Sequence, residues 1–89
     1  MPTLSRFYGI TITMYFREGS HGSRPHFHVS YAEARASFDA LDLTRLAGRV
    51  PLRVERIVRE WAQMHRAELL ANWERARCGR KLHAIEPLK

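Results

Sequence analysis

The chain has 89 residues, 45% of them hydrophobic and 27% charged, with a formal net charge of +6 and a pI near 10.4. This length provides one hydrophobic core, so we expect a single domain over residues 1–89, stabilised by a partner or by homodimerisation. One cysteine, Cys78, excludes an internal disulfide and a cysteine-based zinc ribbon. No apolar run has the length of a signal peptide or a membrane-spanning helix, which predicts a cytoplasmic protein that does not contact membranes.

The positive charge comes almost entirely from arginine, with 13 arginines against 2 lysines. A guanidinium group binds phosphate or carboxylate through two N–H groups at once, so this excess favours a polyanionic ligand or an acidic protein partner. Codon usage in a GC-rich genome produces the same excess. Both explanations stay open at this point.

Alternation of apolar and polar residues predicts β-strands in the first half of the chain. Residues 3–16 are interpreted as one strand, whose apolar face consists of Tyr8, Ile10, Ile12, Met14 and Phe16. A polar, glycine-containing loop follows. Pro25 lacks an N–H and therefore fixes the beginning of a second strand, about His26 to Tyr31.

The next elements are shorter. Ala32-Glu33 predicts a tight turn into a third strand from Ala34 to Asp39. The leucines at 41, 43 and 46 indicate a short edge strand or a turn of helix, of which we favour the strand, ended by Gly48. The predicted sheet covers about residues 3–47.

One long amphipathic helix is predicted over about residues 51–78. Pro51 suits its first turn, and Gly79 suits the left-handed position after its end. Its apolar stripe is Val54, Ile57, Val58, Trp61, His65, Leu69 and Trp73. A bend near His65, or a projecting second half, would reconcile this length with so small a sheet. Residues 80–89 are expected as an extended tail on the core. The fold class is therefore α+β: an antiparallel three- to four-stranded meander with one long C-terminal helix packed on one face.

The sheet face opposite the helix is predicted to be polar and basic. Its residues are Thr11, Thr13, Tyr15, Arg24, His26, His28, Ser30, Arg35 and Ser37. Such a face contacts phosphates and stacks a base, which makes Tyr15 and Ser30 candidate nucleic-acid-binding residues. Arg49 and Arg53 bracket the predicted helix N-terminus and are further candidates for phosphate contact. The alternative is an ordinary solvated sheet face.

His26 and His28 are candidate catalytic residues. Two imidazoles on one face, about 7 Å apart at positions i and i+2, are able to act as base and acid in attack of an RNA 2′-hydroxyl on its neighbouring phosphate. Arg24 or Arg35 would stabilise the added negative charge. This hypothesis describes a metal-independent endoribonuclease. The alternative is that both histidines are simply solvated strand residues.

A His-x-His pair also begins some metal sites, which need a third and usually a fourth ligand. His21 or Asp39 would have to supply it, and no spacing in the sequence requires either. We therefore predict no metal and no cofactor. His65 is interpreted as a core or interface histidine.

The second half of the predicted helix is a candidate partner interface. Trp73 and Arg77 would provide an aromatic and a basic contact, whereas the alternative for Trp73 is the core.

Several segments of the chain together resemble a single family. They are Met1 to Ile10, Met14-Tyr15-Phe16, Pro25-His26-Phe27-His28-Val29, Trp61 with His65, Glu68 to Trp73, and Ile85-Glu86-Pro87-Leu88. The family is a small bacterial one, the domain of unknown function DUF4160. Its members are encoded beside another small protein in pairs that look like toxin–antitoxin modules. The resemblance implies a neighbour-encoded, antitoxin-like partner and supplies no catalytic residues.

Two functions follow as hypotheses. The first is a basic toxin–antitoxin-type protein that binds or acts on RNA through the histidine-bearing sheet face. The second is a non-enzymatic adaptor or regulator, whose function is the complex with its neighbour-encoded partner protein.

Overall fold

The computed structural model describes residues 3–16 and 24–89, which form a sheet, two helices and a tail. The strands are β1 (Thr3–Phe7), β2 (Ile10–Thr13), β3 (His26–Tyr31), β4 (Ala34–Asp39) and β5 (Arg45–Arg49). The helices are α1 (Leu52–Met64) and α2 (Arg66–Arg77). All strand pairs are antiparallel, in the order β1-β2-β3-β4-β5. The predicted α+β class and antiparallel meander are confirmed, but the described residues contain five strands and two helices.

The first predicted strand is in fact a hairpin. Phe7 pairs with Ile10 across a two-residue turn in which Tyr8 has φ 51° and Gly9 has φ 77°. Two left-handed residues give a turn whose twist matches that of the flanking strands. The prediction of one strand over residues 3–16 is therefore wrong, and Tyr8 is 59% exposed at the turn instead of facing the core.

The strands β3 and β4 have the predicted bounds, and the tight turn at Ala32-Glu33 is confirmed. The edge strand β5 is also present, but Gly48 lies inside it and does not end it. Gly48 has φ +72°, and a Cβ there would overlap the carbonyl oxygen of Arg35 on the neighbouring strand. Only glycine fits this close approach of two backbones.

The helix α1 covers one face of the sheet and builds the core with it. Trp61 lies at the centre, with its ring centroid 5.4 Å from that of Phe7 and 6.3 Å from that of Phe27. The other fully buried sheet side chains include Ile12, Met14, Val29 and Phe38. These are the residues that period-two alternation assigns to the covered face.

The predicted long helix is interrupted at His65. The backbone there has φ −120° and ψ 24°, outside the helical range, and its N–H donates to both Ala62 O and Trp61 O at 3.2 Å. The Nδ1 of His65 donates to Glu68 Oε1 at 2.6 Å, and its ring packs against Trp61. The break allows α2 to bury Leu69 and Trp73, which a straight continuation would carry beyond the small sheet.

The end of α2 follows the prediction for Gly79. Its φ is +71°, its N–H donates to Ala76 O, and the N–H of Arg80 donates to Arg75 O at 2.7 Å. This pair of bonds is a Schellman motif. None of the helices in the described residues is long and apolar enough to cross a membrane.

The tail lies on the core through backbone hydrogen bonds. Asn72, buried in α2, donates to His83 O and accepts from His83 N–H, both at 2.8 Å. Trp61 Nε1 donates to Glu86 O, and Ile85 N–H donates to Leu4 O at the β1 edge. The expected packing of the tail on the core is therefore present.

Candidate nucleic-acid interface

The sheet face opposite α1 carries two parallel rows of side chains. In the first row, strand pairing places Thr13, His28, Ser37 and Ala47 side by side across β2 to β5. We call this the histidine row. Residues paired in this way have Cβ atoms about 5 Å apart, so each row forms a continuous strip across the sheet.

The second row lies two residues further along each strand, about 7 Å away. It consists of Arg6, Thr11, Ser30, Arg35 and Arg49, one residue from each of the five strands. We call this the arginine row. Its three guanidinium groups are all on exposed residues, and the two hydroxyl residues between them are half-buried.

A depression of about 320 Å³ lies over the histidine row and over Ser30 and Arg35 of the arginine row. Its lining residues are Thr13, Tyr15, His28, Val29, Ser30, Arg35, Ala36, Ser37, Ala47 and Gly48. This volume is at the lower end of the ~300–1,000 Å³ range of ligand sites. The lining holds an arginine, hydroxyls and two aromatic rings and no carboxylate, which suits an anionic, ring-containing ligand.

Tyr15 and His28 form a stacked pair within this depression. Their ring centroids are 4.7 Å apart and the ring planes differ by 5°. Both residues are half-buried. The sequence placed these two residues on one face, and the structure brings them into contact.

His26 lies at the beginning of β3, beside the depression and not in its lining. Its ring centroid is 5.2 Å from that of His28 and 5.0 Å from that of Trp73 on α2. Its Nδ1 is 2.9 Å from the carbonyl oxygen of Arg24, which only accepts, so Nδ1 carries the proton. The two predicted catalytic histidines are therefore neighbours, but His26 is packed against a helix.

Arg24 is occupied by ion pairs. Its Nε is 2.6 Å from Asp39 Oδ2, and its Nη2 is 3.3 Å from Asp42 Oδ2. The Asp39 side chain is fully buried and also accepts the N–H groups of Leu41 and Asp42. An N–H bond from Thr44 lowers the pKa of the Asp42 carboxyl. Arg24 thus ties the beginning of β3 to the β4–β5 turn, and its catalytic role stays a prediction.

Arg35 lines the depression. Its Nη1 donates to the carbonyl oxygens of Ala32 and Ala34, at 3.1 and 3.0 Å. These bonds hold the guanidinium at the β3–β4 turn end of the depression. Ser30, directly opposite Arg35 on β3, is also in the lining.

The structure separates the two arginines that the sequence grouped at the helix N-terminus. Arg49 pairs with Arg35 and belongs to the arginine row. It does not line the depression but lines a second cavity of about 570 Å³, with Arg45 and with the first turn of α1, including Glu55. Arg53 lies in α1 and lines a different cavity, of about 270 Å³, with Tyr8 and other residues. Arg53 is therefore not part of the sheet face.

The two residues of the predicted partner interface on α2 differ in exposure. Trp73 is only 4% exposed and packs against Phe16 and His26, at centroid distances of 5.5 and 5.0 Å. Its burial within the chain counts against a role as a partner contact. Arg77 is exposed, and its hydrogen bond to Glu74 raises its pKa.

The metal alternative gains no support from the described residues, which contain no group of three or more histidine, cysteine or acidic side chains placed to hold an ion. One suggested third ligand, Asp39, is paired with Arg24. The other, His21, lies outside the described residues.

Two residues of the interface were missed by the sequence interpretation. Arg6 was hidden because β1 and β2 were merged into one strand, since Tyr8-Gly9 is not one of the usual turn dipeptides. Gly48 was interpreted as a terminator, although a glycine inside a strand also marks the close approach of another backbone.

Comparison with known proteins gives one match. No curated protein and no solved structure matches the chain. The family described as Domain of unknown function (DUF4160) matches over residues 9–74, which include β2 to β5, α1 and most of α2. The chain therefore belongs to the DUF4160 family, as its resemblance in sequence implied.

Proposed function

We propose that the protein binds single-stranded RNA on the open sheet face. The observation that carries this proposal is the depression, which combines a stacked aromatic pair with arginine and hydroxyl groups and has no carboxylate in its lining. Proteins that bind single strands combine these same two elements: aromatic rings for the bases and a positively charged path for the backbone.

The Tyr15–His28 pair is the base-stacking element of this proposal. A base stacked on the face of the Tyr15 ring that does not contact His28 would extend the same column. Stacking of one base on an aromatic side chain contributes about 1–3 kcal/mol. Because every base has a π-face, this interaction predicts little sequence preference.

Arg35 and Arg49 are the phosphate-binding element. They lie on neighbouring strands, directly opposite one another. Like charges in this position repel each other, which costs stability unless a ligand separates them with negative charge. A phosphate between the two guanidinium groups would remove that repulsion.

Binding is favoured over cleavage. The catalytic hypothesis needed Arg24 or Arg35 together with both His26 and His28, but Arg24 is paired with Asp39 and Asp42. His26 is also packed against Trp73. These contacts fix the side chains for a rigid binding surface.

We extend the proposal to a partner and to a cellular setting from the gene pairs that the family resemblance implies. A cytoplasmic protein of a toxin–antitoxin pair would be inhibited by a neighbour-encoded partner that covers the Tyr15–His28 depression. The rival hypothesis, an adaptor that contacts its partner through Trp73, is disfavoured because Trp73 is buried. Homodimerisation stays a prediction that sedimentation would test.

The test is a binding titration with a fluorescently labelled eight-nucleotide RNA. We expect Tyr15→Ala to weaken binding about 5- to 150-fold, the equivalent of one lost stacking interaction. The matched charge control is Arg56→Gln on α1, compared with Arg35→Gln in the depression. Only Arg35→Gln should lower the affinity strongly, because Arg56 is on an exposed helix position away from this face.

Equal affinity of the wild type, Tyr15→Ala and Arg35→Gln would overturn the proposal. So would an absence of binding by the folded protein at low salt. Gel analysis of the RNA after the titration tests whether the protein binds RNA without cleaving it. Cleavage that His28→Ala abolishes would restore the catalytic hypothesis.

A further inference from the structure

We infer that the bound RNA crosses the sheet at right angles to the strands, with its phosphates along the arginine row and Arg6 as its outermost contact. This inference rests on the proposed function and adds to it a path, a length and a binding residue. The row begins with Arg6 on β1 and ends with Arg49 on β5.

The placement of Arg6 follows from the β1 hairpin. Arg6 pairs with Thr11, whereas the flanking pairs Phe7–Ile10 and Ser5–Ile12 have buried side chains on the covered face. Alternation then directs Arg6 to the open face, where it is exposed.

The distribution of charge selects a path across the strands. Along the strands, one end of the β3–β4 hairpin carries Glu33 in the turn, and the other end carries Asp42 beside Asp39. A polyanion laid along β3 would therefore meet the Glu33 carboxylate at one end and, at the other, an Arg24 guanidinium that Asp39 and Asp42 already neutralise. Across the strands it meets Arg6 at one end and Arg35 with Arg49 at the other.

The two rows divide the RNA between them. With phosphates on the arginine row, the bases lie over the histidine row about 7 Å away and reach the Tyr15–His28 pair. Thr11 and Ser30 lie between the arginines. Their hydroxyls are able to bond phosphate oxygens or the ribose 2′-hydroxyl, which is both donor and acceptor and distinguishes RNA from DNA.

The width of the sheet sets the length of the site. Five strands about 4.8 Å apart give ~19 Å between Arg6 and Arg49. At the ~3.4 Å per nucleotide of a fully stacked strand, this span takes no more than about six nucleotides. Arg35 and Arg49 are one strand spacing apart, while Arg6 is three spacings, ~14 Å, from Arg35. A dinucleotide on the Arg35–Arg49 end therefore does not reach Arg6.

The experiment measures affinity for oligoadenylates of two, four, six and eight nucleotides, with wild type, Arg6→Gln and the control Arg56→Gln. Affinity should increase up to about six nucleotides and then level off. Arg6→Gln should weaken hexamer binding about eightfold at 50 mM salt and reduce the slope of log K against log salt by about 0.7, the contribution of one single-strand phosphate contact. It should leave dinucleotide binding unchanged.

Each other result has a defined meaning. If Arg6→Gln equals Arg56→Gln on the hexamer while Tyr15→Ala still weakens binding, the path is refuted and the proposed function stands. If no oligonucleotide binds, or polyglutamate displaces the hexamer at equal charge, both are refuted. Equal affinity for the deoxyribose hexamer would refute the contacts to the 2′-hydroxyl.

Discussion

The two faces of the sheet are built from alternate residues of the same strands and have opposite properties. Phe27 on the covered face is fully buried between Trp61 and Phe38. His28, its neighbour in sequence, lies half-buried on the open face and stacks on Tyr15. The covered face is continuous hydrocarbon, whereas the open face is a pattern of hydroxyls, rings and guanidinium groups.

This difference separates stability from recognition within one small sheet. The covered face supplies the buried apolar area on which a chain of this size depends, and its side chains allow little change. The open face contributes less to folding, so its residues are available for a ligand. Substitutions on the two faces should therefore have separable effects.

The largest effect is expected for Phe27→Ala, compared with His28→Ala. Loss of the Phe27 ring should lower the free energy of unfolding by about 3–5 kcal/mol, because it leaves a cavity beside Trp61. His28→Ala should cost only about 1 kcal/mol, the value of one aromatic pair. Urea denaturation, followed by the combined fluorescence of Trp61 and Trp73, measures the free energy of unfolding of both variants.

The same pair of variants tests the separation of function. His28→Ala, still folded, should lose RNA affinity. Equal loss of stability in the two variants would show that the open face is as necessary to folding as the covered one, and the comparison would fail.

A second comparison concerns Gly48 and Gly79, which share a positive φ. Gly79→Ala should cost about 1–2 kcal/mol, because its Cβ meets nothing and only the left-handed backbone is penalised. Gly48→Ala should cost about 2–5 kcal/mol, because its Cβ also overlaps the backbone of Arg35. The temperatures of thermal unfolding show which of the two variants loses more stability.

Gly48 also lines the depression, so the change should disturb the open face specifically. Similar unfolding temperatures for the two variants would mean that β5 lies further from β4 than described. The close β4–β5 approach would then not shape the RNA site.

The smallest expected effect separates the structural arginine from the binding ones. Arg24→Gln should lower the free energy of unfolding by about 1–3 kcal/mol, because buried Asp39 loses its charged partner. Its effect on RNA affinity should be no greater than that of Arg56→Gln. Arg35→Gln should show the reverse, with a small loss of stability and a large loss of affinity.

Denaturation and RNA titration are both carried out on Arg24→Gln, Arg35→Gln and Arg56→Gln. A strong loss of RNA affinity in folded Arg24→Gln would return Arg24 to the site. It would also weaken the distinction between arginines that stabilise the fold and arginines that bind RNA.

Much of the sheet follows from local pattern. Strands β3 and β4 were predicted with their bounds because alternation, Pro25 and a short turn all agree there. The β1–β2 hairpin was missed because a positive φ at Tyr8, a bulky residue, has no reliable signal in a single sequence. The helix break at His65 depends on how far α2 must turn to bury Trp73, which local propensity does not contain.

In the candidate site, too, some residues were predicted from the sequence and others were placed by contacts between distant parts of the chain. The sequence placed Tyr15, His28, Ser30 and Arg35 on one face, and they do line one depression. It also grouped Arg24 and His26 with them, but the ion pair to Asp39 and the contact with Trp73 join residues far apart in the chain.

The sequence by itself determined the α+β class, the two central strands with the residues on each of their faces, and the capping of the last helix by Gly79. Each of these depends on interactions within a few residues. Only the tertiary structure decided which arginines are paired and which form the row from Arg6 to Arg49. The physical reason is that strand register and helix placement bring together residues whose distance along the chain carries no information about their distance in space.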